Sequence, residues 1–128
     1  MSVLPMAKMM ILFGAFLAFS AVALGSFGAH FLKNRLSQES LAVFEIGVRY
    51  QMYHALALIL LGCLYQLFPE MWFAWAAGCI CLGTLIFSGS LYALACTGIK
   101  ALGAITPIGG VAFLIGWIFI IVGALKSS

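Results

Sequence analysis

Four long apolar segments follow one another along the chain, separated by short polar interruptions. Their predicted bounds are about 9–29, 48–68, 71–96 and 107–125. A helix needs about 20 apolar residues to cross the roughly 30 Å hydrocarbon core of a bilayer. The pattern therefore predicts an all-α integral membrane protein, a four-helix transmembrane bundle that forms a single domain over residues 1–128. Because the turns between most spans are short, neighbouring spans are expected to be antiparallel.

The connection between the first and second spans has its own periodicity. Ser37 is a good helix N-cap, and apolar residues recur after it at helical spacing on one face, while charged and amide residues occupy the others. The apolar positions are Leu41, Phe44 and Val48. We therefore predict a short amphipathic helix over about 38–47, at the membrane surface and running into the second span.

Composition supports a membrane protein and excludes other classes. The chain is 66% hydrophobic and 7% charged, whereas soluble domains carry roughly 25% charged residues. The formal charge of +3 comes from scattered side chains that form no basic stripe, which argues against nucleic acid as a partner. The 4 cysteines lie inside apolar segments without a CxxC spacing, and we interpret them as small apolar residues.

Polar residues are expected to collect at one end of the bundle. The sextet RYQMYH, residues 49–54, must lie within the second span, because the purely apolar part that follows it is too short to cross the core. In an antiparallel arrangement, this sextet shares one side of the membrane with the end of span one, the end of span three and the start of span four. The predicted polar cluster consists of His30, Arg49, Tyr50, Gln51, His54, Ser88, Ser90, Tyr92 and Thr106.

Such a cluster has functional and structural interpretations. Polar groups at membrane depth usually face protein or water and often mark function, because leaving them in hydrocarbon is unfavourable. However, Arg49 is also placed to reach the lipid headgroups, and the tyrosines are also typical of an interfacial aromatic belt. His30 is also placed to complement the dipole at a helix C-terminus. Both interpretations of the cluster stay open at the level of the sequence.

Small residues predict close packing between helices. In span one, Ala21, Gly25 and Ala29 recur every fourth position, and Gly28 lies beside them. In span four, glycines recur every seventh position, at Gly109, Gly116 and Gly123. Small faces let helix backbones approach closely in lipid. The pattern is compatible with packing inside one chain and with a homo-oligomer.

The sequence carries no recognisable catalytic pattern. There is no Ser/His/Asp set, no glycine-rich phosphate loop and no pair of carboxylates, and 2 histidines without supporting ligands make a weak metal site. We therefore expect a protein that is not an enzyme and that needs neither metal nor cofactor. The cysteine and histidine content likewise disfavours zinc and haem.

Two functional hypotheses remain. The first is a structural or accessory protein whose polar end binds a lipid headgroup or a membrane protein partner. The second is a transporter or channel for a small solute or proton, acting as an oligomer. The second hypothesis is weakened because four-helix multidrug exporters use an acidic residue in span one, and this span has none.

Four blocks of the sequence resemble a known family. The segments GSFGAHFLKNRL, GVRYQMYHALAL, IFSGSLYAL and TPIGGVAFLIGW occur in the order and spacing found in uncharacterised protein family 0382, the domain-of-unknown-function 423 family. Animal transmembrane protein 256 looks related. The resemblance implies a four-helix, multi-pass protein of the bacterial inner (plasma) membrane and brings no established activity. The matching polar positions largely coincide with the predicted cluster, with Gly89 and Pro107 added.

Overall fold

The computed structural model describes residues 2–127 and confirms an all-helical protein with four membrane spans. The first span comprises α1 (Pro5–Ala23), a π-helical turn (Leu24–Gly28) and α2 (Ala29–Leu32). The second span is α3 (Gln38–Leu67) and the third is α4 (Met71–Thr97). A short 3₁₀ helix (Lys100–Ala104) then leads into α5 (Thr106–Lys126). Each span is long and apolar enough to cross a membrane.

The helices pack in chain order. α1 lies against α3, α3 against α4, and α4 against α5, whereas α1 makes no comparable contact with α4 or α5 within the part of the chain described. α3 and α4 therefore form the inner pair, and they bury a larger share of their residues than the two outer spans do. As a result, the bundle has a gap between α1 and α4, with α3 behind it.

The predicted amphipathic segment 38–47 is helical and continues without interruption into the second span. Ser37 caps it as expected, because its Oγ accepts a hydrogen bond of 3.1 Å from the backbone N–H of Ser40. At 30 residues, α3 is about 45 Å long, which exceeds the hydrocarbon thickness. Its first turns still contribute to the bundle, since Phe44 and Gly47 are buried and the ring of Phe44 packs against Tyr92 of α4, tilted by 45°.

The predicted glycines of span four lie at the contact between α4 and α5. A Cβ added to Gly109 would overlap the backbone nitrogen of Phe87, and one added to Gly123 would stand 2.7 Å from the ring of Phe73. Gly116 faces Ile80 in the same way. α4 and α5 therefore approach each other so closely that their backbones nearly touch.

The packing of span one differs from the predicted pattern. Gly25 and Gly28 face Val48 and Phe44 of α3, but Gly25 is exposed while Ala21 is fully buried. The π-helical turn from Leu24 to Gly28 explains the difference, because a wider turn shifts the positions after it around the helix axis. The tightest approach of α1 to α3 is instead at Gly14 and Gly62, which the fourfold spacing did not point to.

Two local expectations are also corrected. Thr106 followed by Pro107 is the sequence pattern of an N-cap before a first-turn proline, but Thr106 is the first residue of α5, its N-cap is Ile105, and no side-chain capping bond is made there. Phe73 stands between two tryptophans, a pattern that predicts an interfacial aromatic girdle, but it is 1% exposed and belongs to the apolar core. The aromatic contact at that end is formed by Trp72, Trp75 and Phe119.

Candidate functional site

The structure distributes the predicted cluster over several separate sites. Gln51, Ser88 and Tyr92 lie between α1, α3 and α4, and His54 lies on the α5 side of α3. Ser90 and Thr106 join α4 to α5. The three remaining members, His30, Arg49 and Tyr50, lie at the surface.

Gln51 ties three helices together. Its Nε2 donates to the carbonyl oxygen of Leu17 at 2.9 Å and to Oγ of Ser20 at 2.8 Å, both on α1. Its Oε1 accepts a hydrogen bond of 2.6 Å from the hydroxyl of Tyr92 on α4. A backbone carbonyl only accepts, so the bond to Leu17 fixes which end of the amide carries the nitrogen. Gln51 is 5% exposed, and it links two helices that barely touch each other.

Ser88 supports the same junction one turn before Tyr92. Its hydroxyl donates to the carbonyl oxygen of Gly47 at 2.7 Å, and its side chain is 1% exposed. Thr84, one turn further along α4, returns its hydroxyl to the carbonyl of Ile80 in its own helix. Every buried side-chain polar atom in residues 2–127 has a hydrogen-bond partner. The polar residues of this junction therefore stabilise one another within the protein.

A cleft of about 580 Å³ lies beside this junction, in the gap between α1 and α4. Gln51 and Ser88 are among the residues that line it, and its surface is mainly apolar. The further lining residues are Phe13, Phe16, Leu17, Ser20, Leu24, Cys81, Thr84, Leu85, Gly89 and Tyr92. Phe16 is 64% exposed and Leu85 is 73% exposed, so the cleft opens sideways, toward the lipid of a membrane. Among residues 2–127, no charged side chain lines it.

His54 forms a second site, with aromatic neighbours. Its ring stacks on Phe113 at 3.6 Å between centroids, with 9° between the ring planes. Nδ1 lies 2.8 Å from the carbonyl oxygen of Tyr50, and the indole Nε1–H of Trp117 donates to Nε2 at 3.1 Å. An indole N–H only donates, so Nε2 is the acceptor and Nδ1 carries the proton of a neutral imidazole. Protein groups therefore use both ring nitrogens.

Ser90 and Thr106 form the third site. Their side-chain oxygens are 2.5 Å apart, and the Ser90 hydroxyl also lies 3.0 Å from the carbonyl of Phe87. This bond joins the late part of α4 to the first residue of α5. It fixes the start of the fourth span against α4.

The remaining predicted residues contribute little to these sites, and Tyr50 takes part only through its backbone carbonyl and a stacking contact of its ring with His54. His30 and Arg49 are exposed at the surface. Tyr50 is 37% exposed and packs against Phe87 at 4.8 Å between ring centroids. No group of three or more His, Cys, Asp or Glu side chains suited to a metal ion occurs among residues 2–127.

Three contributors to these sites were not predicted from the sequence. Ser20 and Thr84 sit inside apolar runs, where isolated hydroxyls usually bond to their own helix. Trp117 lies in the apolar span 107–125 and does not stand out there, although a buried indole usually needs a hydrogen-bond acceptor. A search for polar atoms at matching depth on all four spans would have found each of them.

Comparisons with known proteins identify the family. A family model described as protein of unknown function (DUF423) matches residues 24–110. A UPF0382 membrane protein of Staphylococcus aureus (strain bovine RF122) is 47% identical over 121 residues, which cover 94% of this chain and 98% of the relative. The UPF0382 membrane protein YwdK of Bacillus subtilis is 47% identical over 93% of this chain and 98% of its own length.

A relative from a second bacterial lineage gives the same result. The UPF0382 inner membrane protein YgdD of Escherichia coli K12 is 40% identical over 93% of this chain and 91% of its own length. No solved structure matches the chain. With four helices suited to crossing a membrane, the chain belongs to the DUF423 family of UPF0382 membrane proteins and is a multi-pass protein of the bacterial inner (plasma) membrane.

Proposed function

We propose that this protein is a non-enzymatic accessory protein that holds the hydrocarbon chain of a membrane lipid in the cleft between α1 and α4. The observation that carries this proposal is the lateral opening of a cleft whose walls are apolar and whose volume is about 580 Å³. Small-molecule sites usually measure roughly 300–1,000 Å³. A lipid is the ligand that a laterally open cleft meets in a bilayer.

The polar residues support this function indirectly. Gln51 keeps α1 and α4 attached to α3 through its bonds to Leu17, Ser20 and Tyr92. Because these bonds link helices that make little direct contact, they hold the walls of the cleft at a fixed distance. The sequence-based hypothesis placed a lipid headgroup at the polar cluster. The geometry favours a hydrocarbon chain in the cleft, with the polar groups as structural ties.

A pair of matched substitutions tests the proposal. Gly89 lines the cleft, and a Cβ added there meets no atom within 4 Å, so Gly89→Phe should fill the cleft without disturbing the fold. Gly78 also has open space at its Cβ, and it lies on nearly the same face of α4 but three turns away, outside the cleft. Gly78→Phe is therefore the control.

The readout is native mass spectrometry of protein purified in a mild detergent. We expect co-purified lipid on the parent and on Gly78→Phe, and its loss from Gly89→Phe. The proposal fails if all three proteins carry the same amount of lipid, or if the parent carries none.

Transport of a small solute or proton by an oligomer is the second candidate. One observation favours it, the presence of a titratable side chain, His54, that is 4% exposed inside a span. Against it, both ring nitrogens of His54 are already bonded to protein groups, so neither is open to a passing proton. In addition, the carboxylates of Glu39 and Glu45 lie exposed at the surface and not beside His54. Liposomes containing the protein provide the test. Uptake under a pH gradient that His54→Ala abolishes would favour transport, and uptake no faster than in empty vesicles would exclude it.

A further inference from the structure

The cleft is polar at one end and apolar at the other. α1 and α4 run in the same direction, since each is antiparallel to α3. Ser20 and Tyr92 therefore lie toward one end, together with Gln51 and Ser88, while Phe13 and Cys81 lie toward the other. At 1.5 Å per residue, the lining residues span about 17 Å along α4. This is the polarity of an amphiphile with one hydrocarbon chain in the cleft.

The polar end lies below the membrane surface. Tyr92 is about 8 Å and Ser88 about 13 Å from the end of α4 at Thr97, taking 1.5 Å per residue. α4 has 27 residues and is about 40 Å long, so each end extends about 5 Å beyond a 30 Å hydrocarbon core. A ligand group that reaches Tyr92 or Ser88 therefore lies about 3 to 8 Å inside the hydrocarbon boundary.

The hydrogen-bond inventory of this end shows which ligand group it accepts. Both amide hydrogens of Gln51 are used on α1, and the Tyr92 hydroxyl hydrogen is used on Oε1 of Gln51. The hydroxyl hydrogens of Ser20 and Ser88 are used on backbone carbonyls. A side-chain amide oxygen has two lone pairs, and a hydroxyl oxygen also has two. Oε1 of Gln51 and the hydroxyl oxygens of Tyr92 and Ser88 therefore keep acceptor capacity, while no donor is left.

Electrostatics narrows the ligand further. None of the residues that line the cleft is charged, so a phosphate or carboxylate drawn into it would lose its hydration without gaining a cation or a donor. An ammonium group would likewise enter without a counter-ion. A neutral group that donates a hydrogen bond meets neither penalty, and a hydroxyl is the simplest such group in a lipid.

We propose that the cleft selects uncharged lipids that carry a free hydroxyl group, such as long-chain alcohols or diacylglycerols, with the hydroxyl donating to Oε1 of Gln51. This inference rests on the proposed lipid-binding function and adds the chemical class of the ligand. The hydrocarbon chain lies along Phe16 and Leu85, and charged headgroups stay outside the cleft.

The test compares a long-chain primary alcohol with its methyl ether, which keeps the chain and the oxygen but cannot donate. Phosphatidylglycerol serves as the charged lipid. Each probe displaces a fluorescent alkyl ligand from detergent-solubilised protein, and Gly89→Phe reports displacement that does not come from the cleft. We expect the parent to bind the alcohol about fivefold more tightly than the ether, the equivalent of one net hydrogen bond of about 1 kcal/mol.

Tyr92→Phe makes the test specific to Gln51. The substitution removes the hydroxyl that donates to Oε1 and leaves that oxygen without its partner. The alcohol then replaces the missing donor, so its affinity should rise by about a further fivefold while that of the ether stays unchanged. A merely wider cleft would raise the affinity of both probes equally.

The possible failures are distinguishable. If the alcohol, the ether and phosphatidylglycerol all fail to displace the fluorescent ligand from the parent, the lipid-binding function itself is wrong. If the alcohol and the ether bind equally to both the parent and Tyr92→Phe, lipid binding stands and selection for a hydroxyl group is overturned. Tighter binding of phosphatidylglycerol than of the alcohol would also overturn it.

Discussion

The substitution Gly109→Ala tests the closest helix contact in the protein. A methyl group at this position would overlap the backbone nitrogen of Phe87 and lie 2.8 Å from its Cα. These are backbone atoms, so the contact is not relieved by a change of side-chain rotamer. α4 and α5 would have to separate by about 1 Å to restore a normal carbon contact of roughly 3.5 Å.

Two opposing effects set the change in unfolding free energy caused by Gly109→Ala. Overpacking a tight contact destabilises a protein by typically about 1–3 kcal/mol, and separating the helices also weakens the neighbouring contacts at Gly116 and Gly123. Replacing glycine by alanine inside a helix contributes up to about 1 kcal/mol in the other direction. A Cβ at the adjacent Gly110 would have its nearest contact at 4.0 Å, so alanine there brings the gain in helix propensity without overpacking. Gly110→Ala is therefore the control.

The assay is the free energy of unfolding in mixed micelles, followed by helicity as the fraction of denaturing detergent rises. We expect Gly110→Ala to match the parent or exceed its unfolding free energy by up to about 1 kcal/mol, and Gly109→Ala to be about 1–3 kcal/mol less stable than Gly110→Ala. Equal stabilities for the two variants would refute the reasoning, since helix propensity alone acts equally at both positions.

Three further predictions use the same assay. Gln51→Leu should lower the unfolding free energy by about 2 kcal/mol, because it removes three interhelical hydrogen bonds that average about 0.6 kcal/mol each in a membrane; an unchanged value would show that these bonds do not hold α1 in place. Gly98→Ala should lower the unfolding free energy by about 1–2 kcal/mol, because Gly98 ends α4 with a left-handed φ of 72°, which alanine adopts only with strain. A loss of unfolding free energy no larger than that of Gly78→Ala, inside the helix, would contradict this. Trp117→Phe should lower the unfolding free energy by about 1 kcal/mol, because it leaves Nε2 of His54 without a hydrogen-bond donor. Adding His54→Phe should restore much of this free energy, and no recovery in the double variant would count against the hydrogen bond.

The polar sextet shows how far sequence reasoning reached. The length of the apolar run after His54 requires that the sextet lie within the span, and the structure places both Gln51 and His54 in the buried part of α3. Their partners were not predictable in the same way. Gln51 and His54 are three residues apart and so differ by about 60° around the helix axis, enough to face different neighbours. The result is one hydrogen-bonded junction with α1 and α4 and another site against α5.

The sequence by itself determined the number of spans, their approximate bounds and the depth of the polar residues, because depth depends only on the rise per residue and the thickness of the bilayer. The tertiary structure decided which helices touch, since in lipid almost every face of a span is apolar and, apart from the glycine face of span four, the pattern does not mark the inward face. It placed α1 beside α3 and away from α4, shifted the end of span one by a π-helical turn and separated His54 from Ser88. The cleft exists because of that helix order, which no stretch of sequence encodes locally.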